Sequence, residues 1–108
     1  ESKLLKGLKL GCAGCISAVT NVTHELARSV FDDFENQIEP KLNKKLISVR
    51  EIFDQYNLIS ALHSFISVKD EKYKNLLPPL VLLSKEKQKE ILNKLEVIEF
   101  ISSNNLAA

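Results

Sequence analysis

Apolar positions recur along most of this chain at steps of three and four, the spacing that gives a helix one buried face. Leu4, Leu5 and Leu8 stand among lysines and predict a short amphipathic helix over 2–10, stopped by Gly11. The run Cys15-Ile16-Ser17-Ala18-Val19-Thr20 departs from this rhythm: it is small and β-branched, bounded by Gly14 and Asn21, and uncharged on both faces. It predicts a buried parallel strand. Asn21 and Thr23 offer caps for a following helix, with Glu25 placed to favour its N-terminus, and Leu26, Val30, Phe31 and Phe34 keep one face apolar to about Asn36. Pro40 fits the first turn of the next helix, whose seam is Leu42, Leu46, Val49, Ile52/Phe53 and Tyr56, and Asn57 can take the left-handed conformation that ends it.

Leu58, Ile59, Leu62, Phe65 and Ile66 form a third periodic face, and Pro78-Pro79 forces an extended connection after the polar stretch 69–75. Ser84 caps a last helix with Ile91, Leu92, Leu95 and Ile98 inward and Lys85, Lys87, Lys89 and Lys94 outward. The tail Ser102-Ser103-Asn104-Asn105 is expected to fray. One strand and five helices make the chain mainly α. A lone strand leaves both edges unpaired, so missing strands, a partner chain or conversion to helix must satisfy its backbone.

Composition sharpens this picture. All three glycines (Gly7, Gly11, Gly14) fall in the first 14 of 108 residues, leaving few places for tight hairpin turns later. Fifteen Lys+Arg stand against 14 Asp+Glu, a formal charge of +1, which removes the electrostatic case for a nucleic-acid partner. No run approaches the roughly 18 apolar residues of a membrane span, so no membrane partner is expected. The first residues have neither a signal peptide's pattern nor an initiator Met, and an upstream part is expected. Two cysteines do not make a disulfide framework, and the chain reads as cytoplasmic.

Local chemistry is sparse. Cys12-x-x-Cys15 precedes the predicted strand rather than following one onto a helix, and zinc needs two more ligands, so buried packing of small residues is the reading adopted. His63 has no nucleophile or orienting carboxylate at a recognisable spacing and reads as a structural histidine. Asp32, Asp33 and Glu35 face outward on helical spacing, and Asn21-Val22-Thr23, a glycosylation sequon by spelling, reads as a capping segment. Glu90 and Lys94 pair at i, i+4, an ordinary surface arrangement. No metal ligand set and no cofactor site is expected.

The segment Gly11-Cys12-Ala13-Gly14-Cys15-Ile16-Ser17-Ala18-Val19-Thr20-Asn21-Val22 resembles the last barrel strand of the dihydrodipicolinate synthase / N-acetylneuraminate lyase / 2-keto-3-deoxygluconate aldolase superfamily. There a Gly-rich turn precedes Gly-x-Ile-Ser, a few small residues and Asn-Val. Further on, Tyr73-Lys74-Asn75-Leu76-Leu77-Pro78-Pro79-Leu80-Val81-Leu82-Leu83-Ser84 is similar to the Arg-Pro-Pro-Leu segment before that family's final helix. The chain departs from the pattern at Ala18, where sialic-acid lyases have a serine, at His24, where proline is usual, and at Leu77, in place of arginine.

The resemblance implies the C-terminal fragment of a (β/α)8 barrel, its last strand and helix, plus a trailing three-helix subdomain. The division expected is 1–22 for the barrel piece and 23–108 for the helical subdomain. A whole barrel takes roughly 250 residues. The family forms a Schiff base between a barrel lysine and pyruvate or another 2-oxo acid, helped by a tyrosine and a Gly-Thr-Thr-Gly-Glu-like loop. The resemblance puts those elements upstream of Glu1, so no catalytic residue is assigned in this chain. Ile16, whose main chain would lie beside the substrate carboxylate, and Ser17 after it carry over as substrate-binding residues. The expectation is therefore a segment of a class I lyase or aldolase, inactive alone and forming homo-oligomers. The alternative is a stand-alone helical interaction protein derived from such a barrel.

Overall fold

A computed structural model describes residues 1–102. Among them the chain is mainly α: α1 (Leu4–Lys9), α2 (Thr20–Glu35), α3 (Asn43–Phe53), α4 (Leu58–Ile66) and α5 (Lys85–Val97), with a 3-10 turn at Glu71–Lys74 and no strand. The expected fraying beyond Ser102 lies outside the described residues. The chain divides into two compact units, Glu1–Arg50 and Glu51–Ala108.

In the first unit, Leu4 and Leu8 of α1 pack with Ala27 and Val30 of α2 and Leu46 of α3, flanked by Leu5, Leu26, Phe31 and Phe34. The predicted strand does not form. Residues 12–17 take no regular secondary structure, and Ile16 is fully exposed. No neighbouring strand among the described residues offers this backbone the ladder partners that a buried strand requires. From Ser17 the chain winds up instead: Thr20 and Asn21 donate their N–H groups to Ser17 and Ala18 (3.3 and 3.2 Å), and Val22 and Thr23 to Val19 (2.9 and 3.0 Å).

Those main-chain bonds absorb the first donors of α2, so no side chain caps it. Asn21 and Thr23, expected as caps, use their side chains to donate back to the carbonyls of Ala18 (2.8 Å) and Val19 (3.0 Å). Glu25 falls past the first turn. The start of α3 also differs from expectation: Pro40 lies three residues ahead of it, its carbonyl accepting from the Asn43 N–H at 3.2 Å.

Three helices end alike. After α1, Gly11 (φ +91°) donates to Leu8 and Cys12 to Gly7, both at 3.0 Å. After α2, Gln37 (φ +57°) donates to Phe34 at 3.1 Å and Ile38 to Asp33 at 2.8 Å. After α5, Glu99 (φ +59°) donates to Glu96 at 2.9 Å and Phe100 to Leu95 at 3.0 Å. Each is a Schellman ending, in which a left-handed residue returns two N–H groups to the last turn. Only the first has the glycine that conformation favours.

In the second unit, Asn57 does not end α3 in a left-handed conformation. It has φ −60° and caps α4, its side chain accepting from the Ser60 N–H at 3.1 Å. The buried side of α4 is largely small and polar, with Ser60, Ala61 and Ser64 beside Leu62, while Ile59 is about half exposed. Ser64 explains the choice. Its hydroxyl accepts from the Leu83 N–H at 2.8 Å and its carbonyl from Gln88 Nε2 at 2.8 Å, fastening the connector and α5 to α4. Ile91 and Leu95 are buried on α5, and Phe65 meets Phe53 edge-on (5.7 Å) and stacks on Phe100 (6.2 Å).

Candidate functional site

The two residues read from the sequence as substrate-binding are neighbours with opposite environments. Ile16 is fully exposed to solvent. Ser17 is half-buried, where the chain begins to coil into α2, and its carbonyl accepts the Thr20 hydroxyl. The Ser17 hydroxyl donates to the Glu1 carboxylate and accepts from Arg50 Nη1 at 3.1 Å. Arg50 also lies 3.4 Å from Glu1 Oε2, and the Thr23 hydroxyl is 3.4 Å from Glu1 Oε1. The Glu1 side chain is wholly buried and that of Arg50 about a quarter exposed. A carboxylate is thus held away from water by one guanidinium and two hydroxyls, the compensation a buried charge requires.

Sequence reading missed three members of this group. Thr23 looks like a cap, Glu1 like a terminal polar residue, and Arg50 like a charge beside the Val49 core position. Contacts between residues 1, 17, 23 and 50 leave no periodic trace. Only the presence of a single arginine in the C-terminal turn of α3 could have drawn attention.

A cleft of about 230 Å³ in the first unit is lined by Leu4, Gly14, Cys15, Thr20, His24, Ala27, Arg28 and Phe31. Cys12 and Cys15 are free thiols and both exposed, which corrects the expectation that they pack inside. Without a strand, nothing draws their segment into the core. No group of three or more His, Cys, Asp or Glu among the described residues could hold a metal ion, and no helix among them is long and apolar enough to cross a membrane.

The second unit contains the chain's other concentration of polar chemistry. Tyr56 donates to Glu90 Oε1 at 2.6 Å, and Lys94 Nζ donates to that same oxygen (2.8 Å), to Gln55 Oε1 (2.7 Å) and to the Tyr56 hydroxyl (3.1 Å). Hydrogen bonds to Glu90 and then Tyr56 hold the Lys94 ammonium above its ordinary pKa. The bonds from Lys94 and Tyr56 pull Glu90 below its own. Burial, then the bond to Glu90, pushes the Tyr56 phenol up. A Schiff-base lysine needs the reverse, an ammonium made costly so that the neutral amine can attack. His63 Nδ1 donates to the Tyr73 carbonyl at 2.8 Å and its ring lies 6.0 Å from that of Tyr73, a structural role.

Comparison with known proteins gives one finding. The sequence matches the dihydrodipicolinate synthetase family over residues 1–98, and the chain belongs to that family. No curated protein and no solved structure gives a match.

Proposed function

We propose that this chain is the C-terminal segment of a dihydrodipicolinate synthase-like class I lyase or aldolase, working on pyruvate or another 2-oxo acid through a Schiff base, and inactive by itself. The observation that carries the reading is the family match over residues 1–98. It is consistent with residues 12–17, the stretch that resembles a barrel strand, taking no regular structure in this chain. A barrel of roughly 250 residues is more than this chain can build.

In this reading residues 1–22 are the last helix-strand piece of the barrel and 23–108 the trailing helical subdomain. That boundary concerns descent from the barrel, whereas the division at Arg50 and Glu51 concerns packing. Ile16 offers its main chain beside the substrate carboxylate, and Ser17 follows it at the same strand end as a second substrate-binding residue. The reactive lysine and its tyrosine come from outside residues 1–108. The assembled enzyme works in the cytoplasm as a homo-oligomer. A stand-alone helical interaction protein is the second reading, favoured by the exposure of Leu10, Leu77, Val81 and Val97.

The test is borohydride trapping with pyruvate, read by mass spectrometry. The isolated chain is expected to gain no adduct, and the chain joined to a family N-terminal portion is expected to gain one. A folded fusion that traps nothing overturns the lyase reading, and an adduct on the isolated chain overturns its inactivity.

A further inference from the structure

Exposure of both thiols removes the ground on which Cys12 and Cys15 read as packing residues. They are free cysteines three positions apart, on a stretch that takes no regular structure. That stretch is held at its ends and loose in its middle. Cys12 completes the Schellman ending of α1, its N–H donating to Gly7 at 3.0 Å and its Sγ lying 3.7 Å from where a Cβ on that glycine would stand. Ser17 is fixed at the other end, its carbonyl accepting the Thr20 N–H at 3.3 Å and its hydroxyl bonded to Glu1. Between them no hydrogen bond among the described main-chain groups restrains residues 13–16. A fully extended chain would put the two Cα atoms about 10 Å apart, and a disulfide needs roughly 4.4–6.8 Å, so joining the sulfurs takes a turn. Gly14 supplies the place for it: it stands between the cysteines, has no Cβ to crowd a turn, and has nothing within 4 Å of where one would be.

We propose that Cys12 and Cys15 form a dithiol exchange site, which reduces a low-molecular-weight disulfide and closes into a reversible disulfide within the chain while the helices stay folded. In the first step the thiolate of one cysteine attacks a sulfur of the small disulfide, so that a mixed disulfide forms and one small thiolate leaves. In the second the other cysteine's thiolate attacks the protein sulfur of that mixed disulfide, the Cys12–Cys15 bond forms, and the second small thiolate leaves. Two protein thiols are oxidised, one small disulfide is reduced to two thiols, and the protons lost by the cysteines go to the thiolates released. Exposure gives the small disulfide access to either sulfur, and the unrestrained middle of the segment lets the second step follow the first. An excess of small thiol runs both steps backwards. The proposal is independent of the lyase reading, because it requires neither a 2-oxo acid nor a lysine.

The experiment treats the full chain, Cys12→Ser and Cys15→Ser with glutathione disulfide at neutral pH, quenches with acid, and reads mass and peptide map, with a parallel run in urea that unfolds the chain. The full chain is expected to end as a monomer short of two hydrogen atoms, with Cys12 joined to Cys15 and its circular dichroism unchanged. Each single variant is expected to stop at one glutathionyl group, which reduced glutathione removes. Closure in the folded chain is expected within about tenfold of the rate in urea, whereas closure that waits on unfolding is slower by the unfolding equilibrium, roughly a thousandfold for a stable domain. A full chain that stays unmodified, that keeps glutathionyl groups without closing, that links to a second copy instead, that loses helix on closing, or that closes more than tenfold slower than in urea overturns the proposal.

Discussion

Gln37 and Glu99 adopt the left-handed backbone that ends α2 and α5, where a side chain's Cβ crowds the following carbonyl at a cost of about 1–2 kcal/mol. Glycine removes that crowding but loses more entropy on folding, so Gln37→Gly is expected to gain about 0.5–1 kcal/mol, read as a higher midpoint in urea unfolding. At Gly11 the balance runs the other way, since φ is +91° and any side chain is strained. The Tyr56 group makes a second prediction at this scale. With Glu90 held low, its contribution is present above the ordinary carboxylate range and is lost as pH falls through its folded value. With Lys94 held high, its contribution persists below the ordinary lysine range and is lost as pH rises through its folded value. In a Tyr73→Phe background the remaining phenol should ionise above its ordinary pKa, and Glu90→Gln should bring it part of the way down, as followed by phenolate absorbance.

At the scale of elements, Ser64 is the residue that ties the connector and α5 to α4, the first through its hydroxyl and the second through its main-chain carbonyl. Ser64→Ala strips the Leu83 N–H of its partner and is expected to cost about 1–3 kcal/mol, measurable by thermal or urea denaturation. Helix positions were legible from the sequence wherever large apolar residues repeat: Leu4 and Leu8, Leu46 and Val49, Ile91 and Leu95 are all buried. Legibility failed where burial uses small polar side chains, as in α4, whose Ser60 and Ser64 carry no hydropathic signal. It failed again at 15–20, where β-branched residues invite a strand but nothing in the described chain pairs with it. Glycine-poor helix ends were hidden for a related reason, because Gln37 and Glu99 belong to no turn signature.

For the whole molecule, Leu10, Leu77, Val81 and Val97 present apolar surface to water. Light scattering is expected to return a mass above that of the 108-residue monomer, and a sharp monomer at high concentration would count against both the homo-oligomer and the interaction-protein reading. Ile16 and Ser17 came from a motif, whereas the carboxylate, hydroxyls and guanidinium around Ser17 come together only in three dimensions. That gathering also bears on the order of folding. Glu1 and Arg50 stand 49 positions apart, the two ends of the first unit. Closing so long a loop costs chain entropy that the local packing of α1 on α2 does not, so the pairing belongs after the folding barrier. Its loss should then quicken unfolding while leaving the folding rate nearly unchanged, making Glu1 a latch on the lifetime of the folded unit rather than a guide to reaching it.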